Sequence, residues 1–238
     1  MARQYAGPGG WVLELAAGEG RITLPLAREG FRVTALDSSP AMLARLREKL
    51  EAEPQDVRER VQTAESDMRR FHLDRLFRLV CLPFNTFLLL TETHDREALL
   101  QSVREHLAPS GAFAFDIFTP DPRRLVDSPD WAVELEHESA DPWGAGQVHV
   151  LREMRRRQNY GRQVSHVDFR HTISQSGEVL ARWEDDLDFG IIYPRELELI
   201  LEREGFRIRD RFGGPDRRPY RPTAGDMHSQ YVVAELVP

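Results

Sequence analysis

The chain reads as an α/β protein built on a mostly parallel, doubly wound sheet. Two patterns predict it: short apolar runs alternate with amphipathic helical segments through the first half, and a glycine-rich turn ends the first of those runs. A third observation adds to this. After Thr119-Pro120-Asp121-Pro122 the texture changes to successive strand-like segments separated by turn residues, which predicts an antiparallel β insert.

Trp11 to Leu15 is an apolar run that stops at a glycine turn, and Arg21 to Arg28 carries apolar residues at helical spacing. Phe31 to Leu36 gives a second strand. It closes on Asp37-Ser38-Ser39-Pro40, where a serine cap and an early proline start a helix over Ala41 to Glu51. Val61 to Ala64 and Phe77 to Phe84 supply the third and fourth strands. Asp95 to Leu107 is an amphipathic helix stopped by Pro109-Ser110-Gly111, and Ala112 to Phe118 is another buried strand. In the insert, Trp131 to Glu138, Val148 to Arg156, Val164 to Thr172 and Leu180 to Phe189 read as strands. Helical character returns at Pro194 to Glu204. Strands starting at Gly205 and at Tyr231 then form an antiparallel final edge on the main sheet. The expected division is a core over 1–129, the insert over 130–190, and the closing part of the core over 191–238.

Composition excludes several classes. A chain of 238 residues with 41% hydrophobic and 30% charged positions can bury a full core. No apolar run reaches the roughly 20 residues needed to cross a bilayer, and the start of the chain lacks the apolar centre of a signal peptide, so a cytoplasmic protein is expected. Cys81 is the only cysteine and lies in an apolar run, which reads as a small buried hydrophobe. Lys49 is the only lysine, set in a polar helix, which disfavours Schiff-base chemistry. A formal charge of -7 disfavours a nucleic-acid partner.

Chemistry gathers at the carboxyl ends of the strands, where ligands of parallel sheets bind. Glu14-Leu15-Ala16-Ala17-Gly18-Glu19-Gly20 ends the first strand and Asp37 ends the second. Glycines let backbone approach a ligand, and a carboxylate on the next strand can accept both hydroxyls of a ribose. This geometry suits a nucleoside.

The run VLELAAGEGRITLPLAREGFRVTALDSSPAML resembles the first two motifs of class I S-adenosylmethionine-dependent methyltransferases, a Rossmann-like family. The acidic residue and GxGxG of that family are matched at Glu14, Gly18 and Gly20, with Ala16 in place of the first glycine. The resemblance implies S-adenosylmethionine as cofactor, ribose binding by Asp37 beside Ser38, and Met42 packed near the adenine. An ordinary apolar helix position is the alternative for Met42. It also implies that Asp67, with Met68 next to it, meets the adenine, and that Leu82 belongs to the same pocket. Arg78 stands where relatives usually have Asp.

Cys81-Leu82-Pro83-Phe84-Asn85-Thr86-Phe87 and the turn Leu107-Ala108-Pro109-Ser110-Gly111 resemble the small-molecule branch that includes sugar-amine N,N-dimethyltransferases. The first of these lacks the second proline and following aromatic of DPPY or NPPY motifs, which disfavours methylation of DNA bases. A small-molecule acceptor is implied, an amine being one form of it, with Asn85 and Tyr193 as positional candidates for touching it. No catalytic base is identified. Only ten residues precede the first strand, where relatives carry helices that close over the cofactor. Cover is therefore expected from upstream sequence, from the insert or from a second subunit, the alternative being that Met1 to Gly10 folds back and suffices; the insert is expected to roof the site or pair two subunits as a homodimer.

Two rivals remain at this point: a nicotinamide-dependent oxidoreductase, whose GxGxxG fits less well, and a noncatalytic adenosyl-ligand-binding or scaffold protein. His166 and Asp168 fall on one face of a predicted strand and His171 on the other, so a three-ligand metal site is disfavoured. The basic clusters Arg152 to Arg157 and Arg217 to Arg221 read as charged edges that protect strands from aggregation.

Overall fold

The computed structural model describes residues 2–122, 125–140, 146–221 and 229–237. Its strands are β1 (Trp11–Leu15), β2 (Arg32–Asp37), β3 (Val61–Glu65), β4 (Phe77–Leu82), β5 (Leu107–Ile117), β6 (Ser128–Ala140), β7 (Gln147–Asn159), β8 (Val164–Gln175), β9 (Glu178–Gly190), β10 (Phe206–Phe212) and β11 (Gln230–Leu236). The helices are α1 (Ala2–Tyr5), α2 (Thr23–Arg28), α3 (Pro40–Glu51), α4 (Gln55–Arg58), α5 (Thr93–His106) and α6 (Pro194–Arg203). They fall into two compact units, Met1–Thr119 with Tyr193–Pro238, and Pro120–Ile192.

The first unit holds a seven-stranded sheet in the order β10-β11-β5-β4-β1-β2-β3. β1 through β5 pair in parallel, whereas β11 runs antiparallel to both β5 and β10. Val12, Leu13, Glu14 and Leu15 are all buried, as a strand covered on both faces requires. One face packs Tyr5, Val12, Phe31, Val33, Leu79, Ala112, Ala114 and Val233 together. On the other, Phe113 and Phe115 stack with centroids 4.9 Å apart, and Phe87 lies 5.0 Å from Phe115. Each such fully buried ring or aliphatic chain contributes about 1.5 to 3 kcal/mol. The chain winds outward from β1 to β3 and then returns to place β4 on the other side of β1. That reversal opens a crevice at the carboxyl ends of β1 and β4.

Several local expectations are corrected. α1, α4 and a 3-10 turn over Thr86–Leu89 span four residues each, too short to show a period in sequence. Pro109-Ser110-Gly111 is not a free turn after α5, because β5 begins at Leu107 and takes these residues into an irregular first stretch. Ser110 has φ 60° there, and a Cβ on Gly111 would lie 2.8 Å from the carbonyl oxygen of Ala108 and 3.0 Å from that of Phe77, so the close backbone approach demands glycine. Arg78 is exposed on β4, and the strand pairs with both neighbours without the usual acid at that position.

The second unit is a four-stranded antiparallel sheet, β6-β7-β8-β9. Its register gathers Leu187, Trp183, Val167, Phe169, Ile173 and Met154 on one face. The opposite face is charged: Arg155 pairs with Asp168 at 2.8 Å, His166 with Asp188 at 2.8 Å, and Arg170 with Glu184 at 2.9 Å. His171 lies on the apolar face, stacked on Trp183 at 4.8 Å. β7, which carries Arg152, Arg155 and Arg157, pairs on both sides and is not the protective edge expected; these arginines meet carboxylates instead.

Candidate cofactor and acceptor site

The loop from Ala16 to Arg21 is bent by three positive φ angles, at Ala16 (52°), Gly18 (54°) and Gly20 (86°). Gly20 is required for packing as well, since a Cβ there would collide with Leu46 of α3. Gly18 is different: the space where its side chain would point is open, so the backbone is bare towards the crevice. Ala16 is a sharper departure than one added methyl, because left-handed backbone costs a non-glycine residue about 1 to 2 kcal/mol.

Asp37 joins this loop to the end of β2. Its Oδ2 accepts the N–H of Gly18 at 2.7 Å and its Oδ1 accepts that of Ser39 at 2.8 Å, leaving each oxygen a further lone pair. Ser39 caps α3 by accepting the N–H of Met42 at 3.3 Å, with Pro40 at the first helical position. Met42 itself is exposed, on the first turn of that helix. Ser38 lies between Asp37 and the cap. Glu14 is fully buried beneath the loop, where Thr23 donates its hydroxyl to Oε2. Burial, opposed by the Thr23 hydrogen bond and reinforced by the charge of Asp37, pushes its carboxyl up to about 7.

The loop after β3 reaches the same end of the sheet, for the N–H of Ser66 donates to the carbonyl of Asp37 at 3.1 Å. Asp67 is held by Arg69 through two guanidinium nitrogens and the backbone N–H, and Arg69 in turn meets Asp95 at 2.8 Å. These hydrogen bonds hold the Asp67 carboxyl below its ordinary range. Met68 is half-buried beside it.

At the carboxyl end of β4, Leu82 is fully buried, so only its backbone can face a ligand. Phe84 and Asn85 follow with φ of 64° and 58°. An aromatic residue at positive φ is a true outlier, costing about 1 to 2 kcal/mol. The N–H groups of these two residues donate to Oδ1 and Oδ2 of Asp116 at 2.8 and 3.2 Å. Asp116 is buried near the end of β5, and burial raises its pKa against the pull of those N–H bonds. The half-exposed ring of Phe84 lies 4.6 Å from the guanidinium carbon of Arg21, which links this loop to the glycine loop. Asn85 Oδ1 is buried without a hydrogen-bond partner. Cys81, one strand position from Leu82, is inert in this setting, its thiol pKa raised by burial.

Tyr193 precedes α6, where its N–H donates to Glu196 Oε2 at 3.3 Å. Among the described residues no hydrogen bond or ring contact joins it to the loop after β4, so the two acceptor-side candidates are not brought together by such a bond. Sequence reasoning missed Asp116 and Arg21. For Asp116 a signal existed, an acid inside the apolar run Ala112 to Phe118 at the ligand end of a parallel strand. For Arg21 there was none.

Residues 12–111 match a family described as the methyltransferase domain. Over that stretch, under half of the chain, the sequence is similar to a methyltransferase domain. A glycopeptide N-methyltransferase, MtfA, solved with S-adenosylmethionine, is similar over 99% of this chain and 91% of that one, with 27% identity and a TM-score of 0.64. The CcbJ methyltransferase of Streptomyces caelestis shares the fold, with a TM-score of 0.78 at 24% identity over 95% of this chain and 83% of that one. A cypemycin N-terminal methyltransferase of Streptomyces sp is 35% identical over 109 residues, 46% of this chain and 42% of that protein. The matched stretch thus spans less than half of that curated relative's length. The domain's geometry fits an adenosyl cofactor: bare backbone at Gly18, and a carboxylate at Asp37 with lone pairs to spare. Among the described residues no helix is long and apolar enough to cross a membrane.

Proposed function

We propose that this chain transfers the methyl group of S-adenosylmethionine to the nitrogen of a small-molecule amine. The observation that carries the reading is the pairing of Asp37 with the bare Gly18 backbone at the sheet's switch point. The whole-length likeness to a glycopeptide N-methyltransferase supports nitrogen as the acceptor atom.

When bound, S-adenosylmethionine would supply a methyl group activated by its positively charged sulfur for in-line attack by a lone pair. The chain's own residues then have three tasks. Asp37, with Ser38 beside it, receives the ribose hydroxyls. Asp67, Met68 and Met42 border the adenine, and Glu14 supports the loop through Thr23. Asn85, with the backbone at Leu82, faces the acceptor side, where alignment and exclusion of water dominate the rate. Tyr193 is a second residue assigned to the acceptor. We also propose a cytoplasmic enzyme that pairs as a homodimer through the apolar face of the β6–β9 sheet, where Trp183 and Leu187 stand exposed.

The test is incubation of the purified chain with methyl-labelled S-adenosylmethionine and a panel of amines, alcohols and carbon acids. Label on an amine nitrogen is expected. Label confined to oxygen or carbon overturns the acceptor assignment, cofactor binding without transfer to anything leaves an adenosyl-binding protein, and displacement of the cofactor by a nicotinamide nucleotide overturns the cofactor.

A further inference from the structure

Phe84 and Asn85 are consecutive residues, neither is glycine, and both hold left-handed backbone. Such a conformation persists only where its surroundings over-determine it. The surroundings here are one buried carboxylate, since both N–H groups converge on Asp116 at 2.8 and 3.2 Å. Successive N–H groups turned to one side form a concavity for an anion, and the chain supplies that anion itself. Two further bonds close the turn, Thr86 Oγ1 donating to the Pro83 carbonyl at 2.6 Å and the Leu88 N–H to the Asn85 carbonyl at 2.9 Å. The arrangement fixes the Asn85 side chain with a buried carbonyl oxygen that has no donor. An acceptor kept without its donor marks a place for an incoming N–H.

We propose that Asp116 is a positioning residue for the methyl acceptor: its carboxylate holds Phe84 and Asn85 in left-handed backbone so that Asn85 Oδ1 receives an N–H of the acceptor amine. This rests on the reading that the loop after β4 faces that amine. It narrows the substrate class. The amine carries at least one N–H besides the lone pair that attacks, so primary and secondary amines are acceptors and tertiary amines are not. Asp116 acts through its two backbone bonds, and so as a residue that orients the loop.

Asp116→Asn tests the clamp, because an amide nitrogen cannot accept from a backbone N–H. Three readouts on the full chain apply: amide hydrogen exchange at Phe84 and Asn85, S-adenosylmethionine affinity by calorimetry, and steady-state kinetics with an amine that the wild type methylates. Exchange should quicken at least tenfold, cofactor Kd should stay within threefold, and kcat/KM for the amine should fall at least thirtyfold. Adding Phe84→Gly, which takes positive φ without strain, should recover at least fivefold of that loss. Should Asp116→Asn fail to fold, Asn85→Gly keeps clamp and backbone but removes the amide, and should cost at least tenfold in kcat/KM at unchanged cofactor affinity. Slow exchange in Asp116→Asn, kcat/KM within threefold of wild type, cofactor loss in parallel, or efficient methylation of tertiary amines would each overturn the proposal. A wild type that transfers methyl to no acceptor overturns the functional reading and the acceptor role with it, and the exchange measurement then decides the clamp separately.

Discussion

The two halves of the site are assembled in different ways. The glycine-loop half draws on neighbours in sequence, Glu14 to Gly20 and Asp37, with the Gly18 to Asp37 bond joining residues 19 apart. The half after β4 depends on Asp116, 31 and 32 positions from the N–H groups it holds. A local constellation leaves a readable motif, whereas one closed by a distant strand leaves only a lone acid in an apolar run.

This division makes predictions that separate the halves, beginning with the strongest. Asp37→Ala should weaken S-adenosylmethionine binding at least tenfold, since it removes two ligand hydrogen bonds worth about 1.5 to 3 kcal/mol each and frees the Gly18 loop. Calorimetry on the folded variant reads this directly, and unchanged affinity would detach Asp37 from the ribose.

Glu14 gives the next effect, on stability. Burial holds its carboxyl near 7 in the fold against an ordinary 4.5, so the folded state binds the proton more tightly than the unfolded chain. Its contribution is therefore most favourable below about pH 4.5 and is lost as pH rises towards 7, by about 3 kcal/mol in all. Glu14→Gln should flatten stability across that window and make the chain more stable than wild type at pH 8, as denaturant melts at the two pH values would show. A variant less stable at pH 8 would mean that the ionised carboxylate is the form the loop requires.

Arg21→Ala should act on the other half by removing the cation held over Phe84, an exposed contact worth about 0.5 to 1 kcal/mol. The expected result is a two- to fivefold rise in acceptor KM with cofactor Kd unchanged; a cofactor effect alone would place Phe84 with the glycine-loop half. The smallest change is Ala16→Gly. Relief of left-handed strain, partly offset by about 0.5 to 1 kcal/mol of added unfolded-state freedom, should leave stability equal or raised by up to about 1.5 kcal/mol. A loss greater than 1 kcal/mol in melts would show that the Ala16 methyl packs rather than strains.

Much of the fold was legible because the central strands of its main sheet are buried on both faces and α3 opens on a serine cap and proline at Ser39-Pro40. What stayed hidden has physical causes. α1 and α4 are four residues long and rest on tertiary packing, as Tyr5 shows by packing with Val12 of β1 and Leu79 of β4 in the core. Pro109-Ser110-Gly111 carries ordinary turn chemistry, yet pairing with Phe77 draws its neighbourhood into β5. In the site, Asp37 and Gly18 were readable as chemistry at a strand end. The bond by which Arg69 holds Asp67 and the clamp of Asp116 were not, since side-chain partners across a turn or from another strand leave no spacing in the sequence.

The account's central claim is that one end of the sheet holds the cofactor through Asp37 and the acceptor through the Asp116-clamped loop. The most direct measurement is S-adenosylmethionine titration of Asp37→Ala and Asp116→Asn side by side with the wild type, paired with methyl transfer to the same amine. The account predicts at least a tenfold loss of cofactor affinity in the first variant, and in the second an affinity within threefold with transfer efficiency down at least thirtyfold. Equal losses of cofactor affinity in both variants would contradict it.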